Sequence, residues 1–421
     1  MASLHRNNSL YRAFPALSHP PFRWFWGGQI ISLIGTWTQN IGQAWLVLQL
    51  TNSPFLLGLV AAMQFVPTML FSLQAGAWID HLPKRKVLIA TQMVMMLLAF
   101  TLAFLVGSGS LRYWMLLVMA FILGVSNTVD VPTRQSFIIE LVGREHLANA
   151  IALNSAIFNG ARLVGPAIAG LIMGIWGPMW CFLINGLSFI GVLAILIFVP
   201  AIPHQEKVTP KQETLRKDIL NGLNYIRKTP SILIVMMMMG FLSIIAMNFN
   251  VLIPVLAKID LHAEALGYGL LMSALGLGAL IGALTVTISS AGGPQPRLLL
   301  VGGFGLGIFN VVVGFQNTYF FSAFFLAFLG CSMIIFSASA NSLIQITVDG
   351  QYRGRVMSVY NLVFGGMIPI GSLYAGTLSD LWGARMTFII SGTITLLFMS
   401  GIVFWLRHYR KDEGHENSSF V

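Results

Sequence analysis

The amino-acid sequence predicts an all-α membrane protein in which twelve transmembrane helices form two six-helix parallel repeats. The first observation is composition: 56% of the 421 residues are hydrophobic, 9% are charged and the mean hydropathy is +0.79, whereas soluble domains carry about 25% charged residues. The second is that apolar runs of about 20 residues or more recur along the whole chain, each long enough to cross a bilayer as a helix. The third is an internal repeat.

The repeat joins two segments that lie 206 positions apart, counted from Gly160 to Gly366. Residues 160–177 read GARLVGPAIAGLIMGIWG, and residues 366–383 read GMIPIGSLYAGTLSDLWG. The identical pairs are Gly160 and Gly366, Gly165 and Gly371, Ala169 and Ala375, Gly170 and Gly376, Trp176 and Trp382, and Gly177 and Gly383. Because the small residues keep their spacing while the large apolar ones change, the duplicated unit is a closely packed helix. Two similar halves are typical of membrane machines whose halves move against each other.

Hydropathy gives the order of the twelve spans. They are predicted at residues 22–50, 54–78, 87–107, 113–138, 146–174, 179–200, 231–257, 264–289, 297–315, 319–346, 355–381 and 385–407. Before the first span, Pro20, Pro21 and Arg23 lead directly into a full-length apolar run, which is not the pattern of a cleavable signal.

Polar residues concentrate in one interior stretch, which divides the chain into halves. An amphipathic pattern from Glu213 to Lys228 predicts a short helix on the membrane surface, ending near Pro230 and tethering the halves. The expected organisation is an N-terminal cytoplasmic segment at 1–21, a first bundle at 22–201, a linker at 202–230, a second bundle at 231–407 and a disordered cytoplasmic tail at 408–421. Six helices precede the linker, so the two bundles have the same orientation in the membrane.

The basic residues predict that both termini face the cytoplasm. Of the 24 Lys and Arg residues, only Arg112, Lys258 and Arg385 fall on the opposite side, and Arg162 lies inside a span. This distribution also accounts for the net charge of +10, because the excess positive charge faces anionic headgroups. A nucleic-acid partner is therefore not expected. The two cysteines lack the spacing of metal ligands, and no metal site is predicted.

The loop between the second and third spans carries a charged motif, residues 76–86, which read GAWIDHLPKRK. Gly76 would allow close approach of a neighbouring helix, Asp80 would accept hydrogen bonds at a helix end, and Lys84 and Arg85 would lie among the headgroups. The motif resembles the loop signature of the major facilitator superfamily, Gly-x-x-x-Asp-x-x-Gly-[Arg/Lys]-[Arg/Lys], with Pro83 in place of the second glycine. We expect a conformational latch; a basic cluster that only fixes topology is the alternative.

A second charged motif lies near the cytoplasmic end of the fourth span, where Asp130 and Arg134 share a helix face. An Asp80–Arg134 ion pair could lock the cytoplasmic side, and a structural Asp130–Arg134 pair is the alternative. The second half has a comparable but degenerate loop before the eleventh span. Its latch candidates are Asp349, Arg353 and Arg355.

Several further stretches resemble the major facilitator subgroup that contains the enterobactin exporter and related drug exporters. They are residues 35–48, which read GTWTQNIGQAWLVL, the pattern Asp130-x-Pro-x-Arg-Gln, residues 150–155, and Arg162-x-x-Gly-Pro-Ala-x-Ala-Gly. The resemblance extends over about residues 20–405 and implies the major facilitator fold. It also implies export of amphipathic small molecules across the bacterial inner membrane, usually driven by proton antiport.

Arg162 is the only basic residue at mid-membrane depth, where a charge is costly and normally faces the protein interior or a water-filled path. It is predicted to contact an anionic substrate or a carboxylate partner. The alternative is an internal arginine whose donors are satisfied by helix-end carbonyls or by neighbouring asparagines. Further substrate-binding candidates are the buried amides Gln39, Asn40, Gln43, Asn154, Asn248, Asn341 and Asn361, each of which could instead join two helices.

Proton coupling requires a group that can gain and lose a proton during the cycle. The eight histidines fall in loops, tails or span edges, and Asp130 is the only acid inside a span away from its outer end. Asp130 is therefore the first candidate for proton coupling. A purely structural pairing of Asp130 with Arg134 is the alternative.

The leading functional hypothesis is a secondary exporter of a siderophore or drug in the bacterial cytoplasmic membrane, working as a monomer. Its partners would be a small-molecule substrate and the lipid bilayer, and no cofactor is expected. No Gly-x-x-x-x-Gly-Lys-[Ser/Thr] occurs, which excludes a self-contained ATP-driven pump. The sequence also lacks the clustered His, Asp or Glu of a membrane enzyme. An importer or lysolipid flippase of the same fold and a non-transporting membrane receptor remain as alternatives.

Overall fold

The computed structural model describes residues 14–80, 82–198, 215–290, 293, 295–350 and 352–413. Of residues 73, 75–78, 80, 215–219 and 409–413 it describes the backbone only. Regular structure in the described residues is helical, and helices account for the spans that hydropathy predicts.

The first half is a bundle of six long helices preceded by a single 3₁₀ turn at Pro15–Ser18. The helices are α1 (Pro20–Thr51), α2 (Pro54–Asp80), α3 (Lys84–Gly107), α4 (Tyr113–Val142), α5 (Leu147–Trp176) and α6 (Met179–Phe198). Prolines occupy the first turn of α1 and begin α2, where their missing N–H has no helical partner to lose.

The linker contains helix α7 (Leu215–Lys228), and α8 begins two residues later at Pro230. The amphipathic helix predicted for the linker is thus present. The remainder of the predicted linker up to residue 214 lies outside the described residues. We call the end of the bundle where α7 lies the linker side and the opposite end the far side.

The second half also forms six spans, but two of them are broken. Its helices are α8 (Pro230–Ile245), α9 (Phe249–Val255) followed by a π-helical turn (Leu256–Asp260), α10 (Ala265–Ser289), α11 (Pro296–Phe315), α12 (Tyr319–Thr347), α13 (Arg353–Gly366) and α14 (Ile368–Glu413). The spans predicted as continuous at 231–257 and 355–381 are interrupted near Ala246 and at Met367, respectively. The prediction of a disordered tail from 408 is wrong up to Glu413, because α14 continues to that residue.

Twelve spans follow from the described helices. Ten helical segments are long and apolar enough to cross a membrane. The last of these, Arg353–His408, contains two spans, because the positive φ of Gly383 (79°) divides α14. Helix α1 supplies the twelfth span: its 32 residues are long enough, and its several amide and hydroxyl side chains lower its hydropathy.

The two copies of the repeat make matching contacts. In the first copy, α5 packs on α1, where Gly165 touches the side chain of Trp37. In the second copy, Gly371 at the start of α14 touches Asn248 at the break between α8 and α9. Both copies end at a glycine of positive φ, Gly177 (89°) and Gly383 (79°). The duplicated segment is therefore duplicated in structure and in the helix it packs against.

The same copies also join the two halves, which meet along two seams. In seam A, α5 contacts α10, and the backbone of Gly269 lies against Pro166 and Gly170. In seam B, the first part of α14 contacts α2, and Gly58 lies against the carbonyl oxygen of Ser372. Glycine is required at these positions because a Cβ would overlap the opposing backbone.

Candidate functional site

A cavity of about 480 Å³ lies where the first half faces the second. Helices α1 to α6 of the first half line it, and Asn250 of α9 and Tyr268 of α10 complete the wall from the second half. Trp37 and Phe158 form an edge-to-face pair along one side, with ring centroids 6.0 Å apart. Apolar walls with a few polar groups are typical of small-molecule sites, and the volume is that of a drug-sized ligand.

Four of the predicted binding residues line this cavity: Gln39, Asn40, Gln43 and Asn154. Gln39 is buried and its Oε1 accepts a hydrogen bond of 2.8 Å from Nδ2 of Asn185 on α6, so this amide joins two helices. The side chains of Asn40, Gln43 and Asn154 form no hydrogen bond with another described residue. Their donors and acceptors therefore remain available to whatever occupies the cavity.

The other predicted amides lie elsewhere. Asn341 and Asn361 line a second, more open cavity of about 640 Å³ between α12 and α13, together with Tyr360. Asn248 is buried outside both cavities, where its Nδ2 donates to the carbonyl of Ile244 at 2.6 Å and its side chain fills the break in the seventh span. The amide nitrogen of Asn248 is thus used by its own helix end, and a role in substrate binding stays a prediction.

Asp130 is completely buried and its carboxylate is saturated with hydrogen bonds. Its Oδ1 accepts from the Thr91 hydroxyl and from Nε2 of Gln92, both at 2.8 Å. Its Oδ2 accepts from Nε of Arg134 at 3.1 Å and from Nη2 of the same guanidinium. The third nitrogen, Nη1, donates to Oε1 of Gln29. Arg134 extends from this pair into the cavity wall.

Arg162 has a different environment. It lies midway along α5, beside the first cavity but not among its lining residues. Its guanidinium stands 5.9 Å from the ring centroid of Trp37, and Nη2 lies 3.5 Å from the sulfur of Met333 on α12. No carboxylate among the described residues pairs with it. Arg162 is thus a cation between the two halves with only weak acceptors around it.

The predicted latch residues divide between two places. Arg85 donates from Nε to the carbonyl of Leu196 at 2.6 Å and from Nη2 to that of Ile197, so it caps the end of α6 within its own half. Lys84 donates to the carbonyl of Leu82 at 3.1 Å. Only the backbone of Gly76 and Asp80 is described, and the predicted Asp80–Arg134 pair stays a prediction. In this conformation Arg134 is engaged by Asp130 and Gln29.

The latch candidates of the second half lie against the linker helix. The backbone N–H of Asp349 donates to the hydroxyl of Tyr225 on α7 at 3.2 Å. Arg355 stands over the ring of Tyr352, which stacks on Tyr225 with centroids 4.5 Å apart. Arg353 begins α13 in the same region. These residues therefore hold the linker helix to the second half.

On the far side, two charged residues of the second half lie at helix ends of the first half. Asp380 accepts hydrogen bonds from the Ser53 hydroxyl (2.9 Å) and from the backbone N–H of Phe55 (3.3 Å), at the start of α2. Lys258 donates to the carbonyl of Leu48 and to Oδ1 of Asn52 (2.9 Å), at the end of α1. Each charge complements the dipole of the helix end that it meets. The halves are thus sealed on the far side.

Sequence reasoning missed Asn127, Gln135 and Tyr268 as cavity residues. For α4 a signal was available: Leu123 and Asn127 precede Asp130 and Arg134 on one face at spacings of three or four, and Gln135 follows Asn127 by eight residues, about two turns further along the helix. For Tyr268 no local signal existed, because its ring reaches the cavity by stacking on Trp45 of the other half.

Comparison with known proteins places this chain in a family. The family model described as transmembrane secretion effector matches residues 11–420. The macrolide efflux protein A of Streptococcus pyogenes is 22% identical over 380 residues, covering 89% of this chain and 93% of that protein. The staphyloferrin A transporter of Staphylococcus aureus is 25% identical over 405 residues, with coverage of 89% and 93%. Both relatives are transporters and not enzymes.

Solved structures show the same fold. A bacterial homologue of the human lysosomal transporter Spinster, in an inward-facing and unoccupied conformation, superposes with a TM-score of 0.74. It covers 93% of this chain and 97% of its own, at 11% sequence identity. At that identity the likeness concerns the fold alone.

Proposed function

Because the chain belongs to the transmembrane secretion effector family of the major facilitator superfamily, we propose that it exports a small amphipathic molecule, a siderophore or a drug, across the bacterial cytoplasmic membrane. The supporting observation is the cavity between the halves, whose wall combines apolar rings with amides such as Asn40 and Gln43. Two relatives of similar length carry a macrolide and a siderophore in their names. The transport cycle would be alternating access, in which the halves rock about seams A and B.

The distribution of basic residues supports a cytoplasmic linker side, with both termini inside. The far side, sealed by Asp380 and Lys258, would then face outward. In this orientation the present conformation is ready to receive a substrate from the cytoplasm. Export requires the far-side contacts to break and the linker side to close.

Transport would be driven by protons, and Asp130 is the group that we propose to couple. A proton on Asp130 would convert one acceptor oxygen into a donor, so the carboxyl could no longer accept from Thr91, Gln92 and Arg134 together. The Arg134 guanidinium would be released, and it lies in the cavity wall. Protonation and substrate release would in this way be linked through one side chain.

The export proposal is tested in inside-out membrane vesicles that acidify their interior on respiration. The probes are fluorescein, rhodamine 123 and radiolabelled erythromycin, and the control is an equal amount of vesicles without the protein. We expect at least one probe to accumulate only when the protein is present, and the accumulation to collapse with a protonophore. Uptake confined to right-side-out vesicles would instead indicate import. If no probe moves in either preparation, the receptor alternative is favoured.

The role of Asp130 is tested with Asp130→Asn in proteoliposomes loaded with the probe that the vesicles identify. We expect exchange of labelled for unlabelled probe to continue, while efflux driven by a pH gradient is lost, since an amide cannot carry the proton. Arg134→Gln should retain part of the gradient-driven efflux, because the carboxyl remains. If Asp130→Asn abolishes both modes and lowers the unfolding temperature, Asp130 is a structural partner of Arg134 and the coupling group lies elsewhere.

A further inference from the structure

Arg162 differs from the other arginine of the membrane interior in what surrounds it. Arg134 has a carboxylate and an amide oxygen as acceptors. Arg162 has the face of Trp37 at 5.9 Å and a thioether sulfur at 3.5 Å. A guanidinium carries five N–H donors, and a ring face and a sulfur satisfy them poorly. The protein therefore maintains a positive charge at mid-membrane without a counter-ion among the described residues.

A charge at this depth is retained only where it acts, because neutral residues of the same size fit a helix interior at less cost. The second copy of the repeat demonstrates that the fold does not need it: the residue 206 positions after Arg162 is Ile368. Ile368 is the first residue of α14, whereas Arg162 lies midway along α5, and both helices contact the opposite half. The second copy thus packs against the opposite half without a charge at this position.

Among the described residues, the cavity beside Arg162 has no acidic residue that could neutralise this charge. Its lining contains no Asp or Glu, and its single charged residue, Arg134, is neutralised by Asp130. Trp37 belongs to the cavity wall and is also the platform under the Arg162 guanidinium. The electrostatic field of Arg162 therefore reaches the cavity across one ring, and nothing acidic in the lining cancels it.

We propose that the substrate of this transporter is an amphipathic anion whose carboxylate, or a similar acidic group, binds the Arg162 guanidinium while its apolar part lies along Trp37 and Phe158. This substrate class rests on the proposed export function. Met333 belongs to α12 of the second half, so an anion at Arg162 would touch both halves at once. A cationic drug would meet uncompensated positive charge in the same place and bind weakly.

The experiment uses two dyes that share a xanthene ring system and differ in charge: fluorescein, an anion, and rhodamine 123, a cation. Binding to the purified full-length protein in lipid nanodiscs is measured by fluorescence anisotropy. The variants are Arg162→Met, which removes the charge, and Arg162→Lys, which retains it. Arg112→Met is the matched control, because Arg112 is an exposed arginine at the far-side start of α4.

We expect the wild type to bind fluorescein more tightly than rhodamine 123. Arg162→Met should lose affinity for fluorescein by about tenfold or more while rhodamine 123 binding stays the same or improves. Arg162→Lys should recover most of the fluorescein affinity, and Arg112→Met should change neither dye. Unfolding temperatures of all variants, measured in parallel, confirm that each protein is folded. If Arg162→Met is unstable, the proposal is tested by comparing Arg162→Lys with the wild type.

Three results would overturn the proposal of an anionic substrate. They are tighter binding of rhodamine 123 than of fluorescein by the wild type, no binding of either dye by the wild type, and loss of affinity for both dyes in Arg162→Met. Failure of the export proposal gives results that differ from these three. If fluorescein binding depends on Arg162 but no vesicle transports any probe, the anion site stands and transport does not. If rhodamine 123 is exported independently of Arg162, transport stands and the anion class does not.

Discussion

The two halves of this protein are alike in packing and different in charge. A shift of 206 positions relates Gly160 to Gly366, and the same shift relates two pairs of aromatic rings in contact on the linker side. His19 and His146 have centroids 5.2 Å apart in the first half, and Tyr225 and Tyr352, at the shifted positions, have centroids 4.5 Å apart in the second. The segment before α1 and the linker helix before α8 are therefore equivalent elements.

The charges do not follow this equivalence. Arg162 lies in the first copy opposite Ile368 of the second, and Asp380 lies in the second copy opposite Gly174 of the first. The arginine stands beside the cavity, whereas the acid lies at the far-side end of its seam and caps α2. The two copies therefore share their packing, while each of these two charged residues occurs in one copy only.

The largest effect is expected from the glycines that let the two seams close. Gly58→Ala in seam B and Gly269→Ala in seam A each put a Cβ against opposing backbone, so the far-side seal should open. Loss of about 1.4 kcal/mol from the closed state shifts its population tenfold, and a backbone overlap costs at least that. Spin labels at Ser110 and Thr318, two exposed far-side positions, should report a longer distance in both variants.

The control for this measurement is Gly174→Ala, since a Cβ at Gly174 meets nothing within 4 Å and alanine is the better helix former. We expect this variant to keep the wild-type distance. If only one of the two seam variants opens the far side, the seams are not equivalent in the transport cycle, and the comparison between the copies holds for structure alone.

A smaller effect is expected from the two charges that seal the far side. Asp380→Ala and Lys258→Met each remove a charged cap from a helix end of the opposite half, an interaction worth roughly 0.5–1 kcal/mol at a partly exposed site. The same pair of spin labels should show a severalfold larger open population in each variant. Asp380→Asn is the matched control, because its amide oxygen can still accept from Ser53 and Phe55. If the distribution of spin-label distances in Asp380→Ala is identical to that of the wild type, Asp380 does not contribute to closing the far side.

The spans and the repeat could be predicted from the sequence because both depend on local patterns, namely hydropathy and the spacing of small residues. The breaks at Ala246 and Met367 were missed, since apolar composition continues across them and hydropathy does not register backbone geometry. The hydrogen bond from the Asn248 amide to the Ile244 carbonyl was not predicted for the same reason. An amide at a helix break donates to nearby backbone, and the residues around Asn248 give no sequence signal of the break.

Site residues could be predicted from the sequence because polar residues are rare inside the spans. Their hydrogen-bond partners could not be predicted where those partners lie on another helix. Asp130 and Arg134 share one helix, so their pairing was among the interpretations, but Thr91 and Gln92 come from α3 and complete the carboxylate shell only after packing. The far-side role of Lys258 likewise depends on the end of α1, more than 200 positions away in sequence. Long-range contacts of this kind carry no local signature.

The smallest effect sharpens the comparison at the linker side, where the ring pair of the first half consists of histidines and that of the second consists of tyrosines. Burial, followed by repulsion from His146, lowers the pKa of His19 from its usual 6.5, and Glu145 opposes this shift. The docked segment therefore favours neutral His19. Docking is complete above pH 6.5 and weakens as the pH falls below it through the lowered pKa, because the undocked histidine binds the proton more readily.

Hydrogen exchange measures this docking directly, since the Ala16 N–H donates to Oδ1 of Asn149 on α5 at 3.1 Å. We expect protection of the Ala16 amide, corrected for the intrinsic rate, to stay constant above pH 6.5 and to fall as the pH drops below it, because the undocked His19 then gains a proton more readily than the docked one. The Asp349 amide, which donates to Tyr225 in the equivalent contact region of the second half, should keep its protection. In His19→Tyr the first half should acquire the pH-independence of the second, because the lowered pKa of His19 is then removed. If protection at Ala16 still falls with acid in that variant, His19 is not the responsible group, and the contrast between the two halves does not lie in the segment before α1.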